Sequence, residues 1–591
     1  VSEPCDTLRA LLRALLRSVP RAVSGAAFLA LLGLGAGQPA AAFDLVGTGP
    51  LAGASVQVSD DFELRYYLSD RKLPGFEDRR IHDYFEQVNR INLLLSQRWD
   101  DGKGLSVGLQ VDEVALFSNR YILDGTLYHS WDLLGDGVLS PWPDALVELE
   151  KGFVTYRWKS GEVTGGDTYA SFGRGIALNI KKNTDIDIDT SIRGAKGTLR
   201  AGDNELTLVT GLSNEQQISQ DQPNLGISND VSNMISGVQL AHYGLGPANL
   251  GAHGVAYRFG RSQDQGQDAL ARYLEPMDAV VGGADVELSG VGGIDWYAEG
   301  DLFDYLSPEL AGQAADTPGY QPLLGHAAYV SASAYPGNAV VLVEAKHTKD
   351  TERLNNFVSA QGWEVATVPT LEYERVITED GSAAVNSNDI YGGRVRVDYS
   401  AAQGRVVPYL SVLTLRDGDT DTLHFNRSPE TIVHPIAGIQ VTGTTVTAQA
   451  NLGARMDKRD LAAEGADRMI HLDGDLDIPV AGKDHLELAL AAKHFAWGNN
   501  VQNQSDYTEM ENALAWHRGD KLVVVLYQDY SDNPLVTSTG NVTEKVYGAA
   551  ELTWKPGPNV ALRAFYGSYK AGIRCSGGQC RSMPGFDGAR L

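Results

Sequence analysis

Cysteine, methionine and positive charge are scarce in this 591-residue chain, which has three Cys, six Met, and 49 Lys and Arg against 75 Asp and Glu. At a formal net charge of −26 it offers no basic footprint for a phosphate backbone, so no nucleic-acid partner is expected. No stretch reaches the 18 or so consecutive apolar residues of a transmembrane helix. No His-Glu-x-x-His and no Walker loop occurs, and His82, His485 and His494 stand apart, without neighbours at ligand spacing. Cys-x-x-Cys-His is also missing, so covalent haem is not expected. These absences lead us to expect no enzymatic activity, no cofactor and no metal.

Glycine (65) and tyrosine (25) are plentiful, in a chain that is 43% hydrophobic. Both suit a protein of many strands and turns. At the N-terminus Arg9, Arg13, Arg17 and Arg21 precede an apolar run at 26–35. Pro39-Ala40-Ala41-Ala42 then offers a small-residue cleavage pattern before Phe43. We expect a secretory signal peptide over 1–42 and a short lead over 43–53. An apolar core of about ten residues is too short to span a bilayer; an amphipathic helix with an arginine face is the alternative. Removing 1–42 takes four Arg and two acids away and leaves −28. A lead this short has no room for a globular plug, so TonB-dependent import is not expected. Cys575 and Cys580, an isolated pair in an exported chain, are most simply a disulfide. A metal reading lacks further ligands at suitable spacing.

From residue 54 onward the dominant signal is alternation with a period of two. Val395, Val397 and Tyr399 oppose Arg394, Arg396 and Asp398; Ala448, Ala450 and Leu452 oppose Gln449 and Asn451; Trp296, Ala298 and Leu302 oppose Tyr297, Glu299 and Asp301. A soluble sandwich alternates too. Here the alternating segments run about ten to fourteen residues, the length of a tilted membrane strand, against about five or six in soluble proteins. Aromatics mark segment ends (Trp99, Tyr156, Trp158, Tyr391, Tyr399, Trp554), as membrane girdles do. Connections alternate between short turns, near 159–161 or 201–204, and long polar loops, such as 118–144 and 348–387.

The expected fold is therefore all-β: a single large closed antiparallel transmembrane barrel over 54–591, with short periplasmic turns and long outer loops. Eleven short turns make 22 strands, and residues 54–68 make one more. Parity asks for an even number. A final strand at Arg581–Leu591, paired with the strand at 559–570, gives about 24, within a range of 22–26. The disulfide would then staple the last outer turn. Pro584 sits awkwardly in such a strand.

Two strings stand out. One is Gly166-Asp-Thr-Tyr169-Ala-Ser-Phe172-Gly173-Arg174-Gly175, followed by Asp185-Ile-Asp187-Ile-Asp189 and Arg193. The other is Cys575-Ser-Gly-Gly-Gln-Cys580-Arg581-Ser-Met-Pro584-Gly-Phe586. Together they resemble a family of bacterial outer-membrane, porin-like β-barrel proteins without an assigned substrate. The likeness implies the fold and an outer-membrane location. A weaker likeness is to alginate-export-type porins, without the cysteine ending.

Gly173 and Gly175 read as a kink or a close approach of backbones. Arg174 held there would reach the lumen and pair with Asp185, Asp187 or Asp189. That pairing would make either a charged constriction or a salt bridge holding the loop to the wall. Arg193, Arg394 and Arg396 are further lumen candidates. The acidic run Asp417-Gly-Asp419-Thr-Asp421 would bind Ca²⁺ or bridge to lipopolysaccharide, or else is plain solvated loop. The expected function is a channel or conduit for a solute or polymer, in contact with outer-membrane lipid and lipopolysaccharide. The alternative is a structural or adhesion barrel whose lumen is plugged or occupied by a periplasmic partner protein.

Overall fold

The computed structural model describes residues 41–44, 54–67, 84–99, 102–117, 144–183, 189–214, 233–259, 277–307, 323–351, 389–417, 431–458, 467–496, 506–532, 546–570 and 586–591, with shorter pieces of the connections. Twenty-four antiparallel strands form one closed wall. Its first quarter is β1 (Ser55–Tyr67), β2 (Tyr84–Arg98), β3 (Gly104–Phe117), β4 (Asp144–Trp158), β5 (Gly161–Thr168) and β6 (Ser191–Ala201). Then come β7 (Asn204–Asn214), β8 (Met234–Leu245), β9 (Ala248–Phe259), β10 (Met277–Val291), β11 (Ile294–Tyr305) and β12 (Leu323–Ala334). The third quarter is β13 (Ala339–Lys349), β14 (Asp389–Tyr399), β15 (Val406–Asp417), β16 (Thr431–Thr442), β17 (Thr447–Lys458) and β18 (Asp467–Ala481). The ring is completed by β19 (Asp484–Ala496), β20 (Tyr507–Arg518), β21 (Leu522–Ser531), β22 (Val546–Gly557), β23 (Val560–Tyr569) and β24 (Phe586–Arg590).

Every strand pairs with its sequence neighbours, and β24 closes the ring. On one edge it meets β23, from Phe565↔Arg590 to Tyr569↔Phe586. On the other it meets β1, from Arg65↔Arg590 to Tyr67↔Gly588. Leu591 and Leu64 exchange backbone hydrogen bonds of 2.8 and 2.9 Å just beyond. Closure of this kind satisfies backbone groups that lipid could not. A lead strand, Ala41–Asp44, lies along the same edge of β1 at its start, from Ala41↔Val58 to Asp44↔Ser55. It takes in Ala41 and Ala42, which the cleavage pattern places on the signal-peptide side of the cut.

The period-two pattern becomes two faces. On β11 Leu302 is 65% exposed outward while its neighbour Asp301 is 2% exposed inward. On β17 Leu452 and Met456 face out and Arg455 is buried. Exposed Tyr243, Trp296, Tyr335, Tyr399 and Trp554 stand within a few residues of the short turns, where an interfacial girdle belongs. Trp99, Tyr156 and Trp158 continue that belt as adjacent rings 6.0–6.5 Å apart. Strands of 10–15 residues in most of the wall match or exceed the roughly 9–11 needed to cross a tilted bilayer path.

Two features differ from expectation. The closing strand begins at Phe586, not at Arg581. Gln579–Met583 pairs instead with Gly572–Ser576 as a separate two-stranded ribbon, in which Cys575 stands opposite Cys580. That ribbon leaves 581–583 off the wall; Pro584 and the cysteine side chains lie outside the described residues. The second difference is at β5 and β6. β5 has only eight residues, and β6 starts level with its end, at Thr168↔Ile192. The chain between them leaves the wall part-way up and turns into the barrel, where Ala170–Phe172 pairs with Leu178–Ile180.

Candidate functional site

The inward hairpin at 169–183 is buried by the wall itself. Ile176, Ala177 and Leu178 are fully buried, and Phe172 nearly so. They pack in one cluster with inward side chains of β7–β12, including Val209, Ile235, Val255, Tyr257, Val281, Phe303 and Tyr305. This reverses the usual expectation for a porin-like inner face, since these strands carry apolar residues on both sides in their half nearer the long loops. Glycine makes room for the hairpin: a Cβ on Gly237 of β8 would collide with the Phe172 ring. Tyr257 donates to the Ala177 carbonyl at 2.5 Å, so the hairpin backbone is held as well as its side chains.

Charged groups hold the hairpin base. Asp189 accepts from Lys182 at 2.7 Å, from the Tyr169 hydroxyl, and from Lys151 of β4. Burial opposes the charged form of Asp189, but the two ammonium groups and the tyrosine outweigh it and take the carboxyl down to about 2. The same burial and the adjacent Asp189 raise Tyr169 far above the ordinary phenol value. Lys196 donates to the Tyr169 carbonyl at 2.9 Å. Beside them Asp167 accepts from Ser191, Asn214 and the Gly152 N–H at 2.7–2.9 Å, with Arg193 at 3.5 Å. Arg193 also donates to the Glu150 carbonyl.

At the tip, Gly173 and Gly175 both have positive φ, +53° and +97°. A side chain on Gly173 would also strike the Glu299 carboxylate. The tight turn brings the Arg174 N–H to Glu299 Oε2 at 2.7 Å and lays the Arg174 guanidinium 4.5 Å over the Tyr297 ring. Tyr297 donates to the same Glu299 oxygen at 2.5 Å. From there a belt runs along the wall. Tyr297 faces Tyr329 with 6.2 Å between ring centres, Tyr329 donates to Glu344 at 2.6 Å, and Arg394 donates to Glu344 at 2.7 Å. Arg396 continues it, pairing with Asp398 at 2.9 Å and lying 4.1 Å over Tyr409.

The structure thus brings Arg174 and Arg394 into one lumen belt and Asp189 and Arg193 into another cluster at the hairpin base. The described partners of Asp189 are lysines and a tyrosine rather than Arg174, because the glycine turn carries Arg174 away from the base to β11. Asp185 and Asp187 lie outside the described residues, as do Asp419 and Asp421. One further string, Gly104-Leu-Ser106-Val-Gly108, spells Gly-x-Ser-x-Gly. It runs along wall strand β3, not at the strand-to-helix elbow that the hydrolase motif requires.

Sequence reasoning also missed His253, Asp285 and Asp301. His253 Nε2 lies 2.7 Å from Asp301 Oδ1 although they are on β9 and β11, with β10 between. The residue between them in register is Gly283, paired with both, and a Cβ there would collide with the Asp301 carboxylate. In the next row Gly251, Asp285 and Glu299 align in the same manner. A glycine in a polar strand row is the signal that was present, but it is legible only once register is known.

No protein family and no curated protein matches this chain. Among solved structures, the translocation pore of the P pilus usher PapC aligns over 90% of this chain and 97% of its own, at 9% identity and a TM-score of 0.37. OpdK of Pseudomonas aeruginosa with vanillate aligns over 68% and 94%, at 13% identity and 0.34. The ferric enterobactin receptor PfeA of Pseudomonas aeruginosa aligns over 90% and 79%, at 10% and 0.41.

Proposed function

We propose that this chain is an outer-membrane channel, narrowed from within by the hairpin at 169–183. The observation that carries the reading is a closed 24-stranded wall whose outer face is apolar and girdled with aromatics while much of its inner face is charged. Strands spaced about 4.8 Å apart and tilted about 40° close 24 into a ring roughly 45–50 Å across, far wider than wall side chains can fill. Water and inward-folded segments must occupy the remainder. The belt from Arg174 to Asp398, in which arginines alternate with acids and tyrosines, suits hydrophilic solutes that exchange hydrogen bonds as they pass.

One observation favours the second reading, a plugged or partner-occupied barrel. Buried apolar side chains on the inner face extend well beyond the hairpin, from Ile192 of β6 round to Phe495 and Tyr507 of β19 and β20. The purified protein in planar lipid bilayers separates the two. A channel gives discrete, reproducible current steps. A barrel that inserts, migrates heat-modifiably on gels and passes no current would overturn the channel reading in favour of the plugged one.

A further inference from the structure

Under the hairpin tip, buried acceptors outnumber donors. His253, Glu299 and Asp301 are 7%, 3% and 2% exposed, and each brings a ligand-type atom within 4.8 Å of the others'. Asp285 Oδ1 lies 3.8 Å from the opposite ring nitrogen of the same histidine. Several hydrogen bonds are made: Tyr297 and the Arg174 N–H supply Glu299 Oε2, and His253 Nε2 meets Asp301 Oδ1. Four buried atoms are left without a hydrogen-bond partner among the described residues: Glu299 Oε1, Asp301 Oδ2, Asp285 Oδ1 and His253 Nδ1. Three carboxylates and an imidazole in one buried pocket are costly unless a positive charge meets them. The Arg174 guanidinium is engaged over Tyr297 and does not fill that role at the four open atoms.

We propose that His253, Glu299 and Asp301 form a divalent transition-metal site, with Asp285 beside the imidazole as a third carboxylate or orienting group. The donor set decides the class of ion. An imidazole nitrogen with carboxylate oxygens suits Zn²⁺, Mn²⁺ or Fe²⁺, whereas Ca²⁺ and Mg²⁺ favour all-oxygen shells. The wall supplies the rigidity such a site needs. All four groups stand on three adjacent, fully paired strands, and Gly283 and Gly251 keep the space between them open. Glu299 gives the site a second consequence. One of its oxygens would serve the ion while the other holds the Arg174 N–H, so a bound cation would fasten the hairpin tip to β11. The inference does not depend on whether the barrel conducts.

The test uses the full-length protein in detergent micelles, stripped with EDTA and titrated calorimetrically with Zn²⁺, Mn²⁺ and Ca²⁺. The site predicts one saturable Zn²⁺ or Mn²⁺ per chain, with Ca²⁺ much weaker. Asp301→Asn and Glu299→Gln should each weaken binding by more than about tenfold, and His242→Ala, a half-buried control on β8 bonded to Asn204 outside the pocket, should leave it unchanged. Heat-modifiable migration establishes that each variant barrel is closed. Wild-type protein that binds no more Zn²⁺ or Mn²⁺ than a closed Asp301→Asn barrel would overturn the proposal. If the substitutions prevent closure, Co²⁺ added to wild type decides instead. Visible absorption bands that Zn²⁺ abolishes support the site, and their absence overturns it.

Discussion

Gly173 and Arg174 were readable as unusual residues, yet their partners were not. A Gly-Arg-Gly string in a strand-rich chain announces a sharp turn or close contact, and the turn is there, with both glycines at positive φ. Which wall strand the arginine reaches depends on where β5 leaves the wall, and that is set by the register of β5 on β6. Arg174→Ala removes a cation–π contact worth about 1 kcal/mol but leaves the backbone N–H on Glu299. Conductance or ion selectivity should therefore change while heat resistance barely moves. Unaltered conductance with a marked loss of heat resistance would make Arg174 a structural tie and nothing more. Asp189 yields a pH prediction at the same scale. Its carboxyl sits at about 2 in the folded chain against an ordinary 3.8. A depressed carboxylate stabilises above its unfolded value and loses that contribution as pH falls through the folded one. The hairpin base should thus hold at pH 6 and loosen between about pH 4 and 2. Limited proteolysis of micellar protein with an acid-stable protease would report it as new cleavage near 169–189, and unchanged protection down to pH 2 would refute it.

Strands and short turns were the most legible elements, because lipid on one side and a polar interior on the other enforce strict alternation. Trp296, Ala298 and Leu302 against Tyr297, Glu299 and Asp301 became outward and inward faces as expected. The parity argument also led to a final strand after Cys580, and residues 586–590 do close the ring. It misplaced the boundary because Gln579–Met583 is as good a strand sequence as Phe586–Arg590, and nothing local says that it pairs backward onto Gly572–Ser576. The ribbon sharpens the cysteine prediction. With Cys575 opposite Cys580 in register, both should be oxidised in protein isolated without reductant, as judged by mass after alkylation. So short a loop gains somewhat less than the roughly 3 kcal/mol expected for about 15 closed residues. Cys575→Ser/Cys580→Ser should assemble and lose a little heat resistance, whereas deleting 586–591 should abolish assembly by opening the edges of β1 and β23. A deletion variant that still migrates as a closed barrel would show that β24 is dispensable.

The whole molecule poses a problem of width that composition cannot solve. Fold class comes from periodicity, but the filling of a 24-stranded ring depends on contacts between segments far apart in sequence, such as Phe172 with Gly237 or Arg174 with Tyr297. Side chains reach inward about 5 or 6 Å from each wall, so a ring of this size would keep an opening of roughly 35 Å if nothing entered it. Conductance is set by the narrowest section, and the hairpin, braced at its base by Lys151 and at its tip by Glu299, lies across part of that opening. Replacing 170–180 with a short Gly-Ser bridge removes Phe172, Arg174 and Ile176 together but leaves every wall strand and the Asp189 anchor in place. The variant barrel should still close and migrate heat-modifiably, since none of the deleted residues belongs to the wall ladder. Its single-channel conductance should rise by roughly a factor of two or more, because ohmic current scales with the open cross-section. A closed variant barrel with wild-type conductance would place the constriction elsewhere in the lumen.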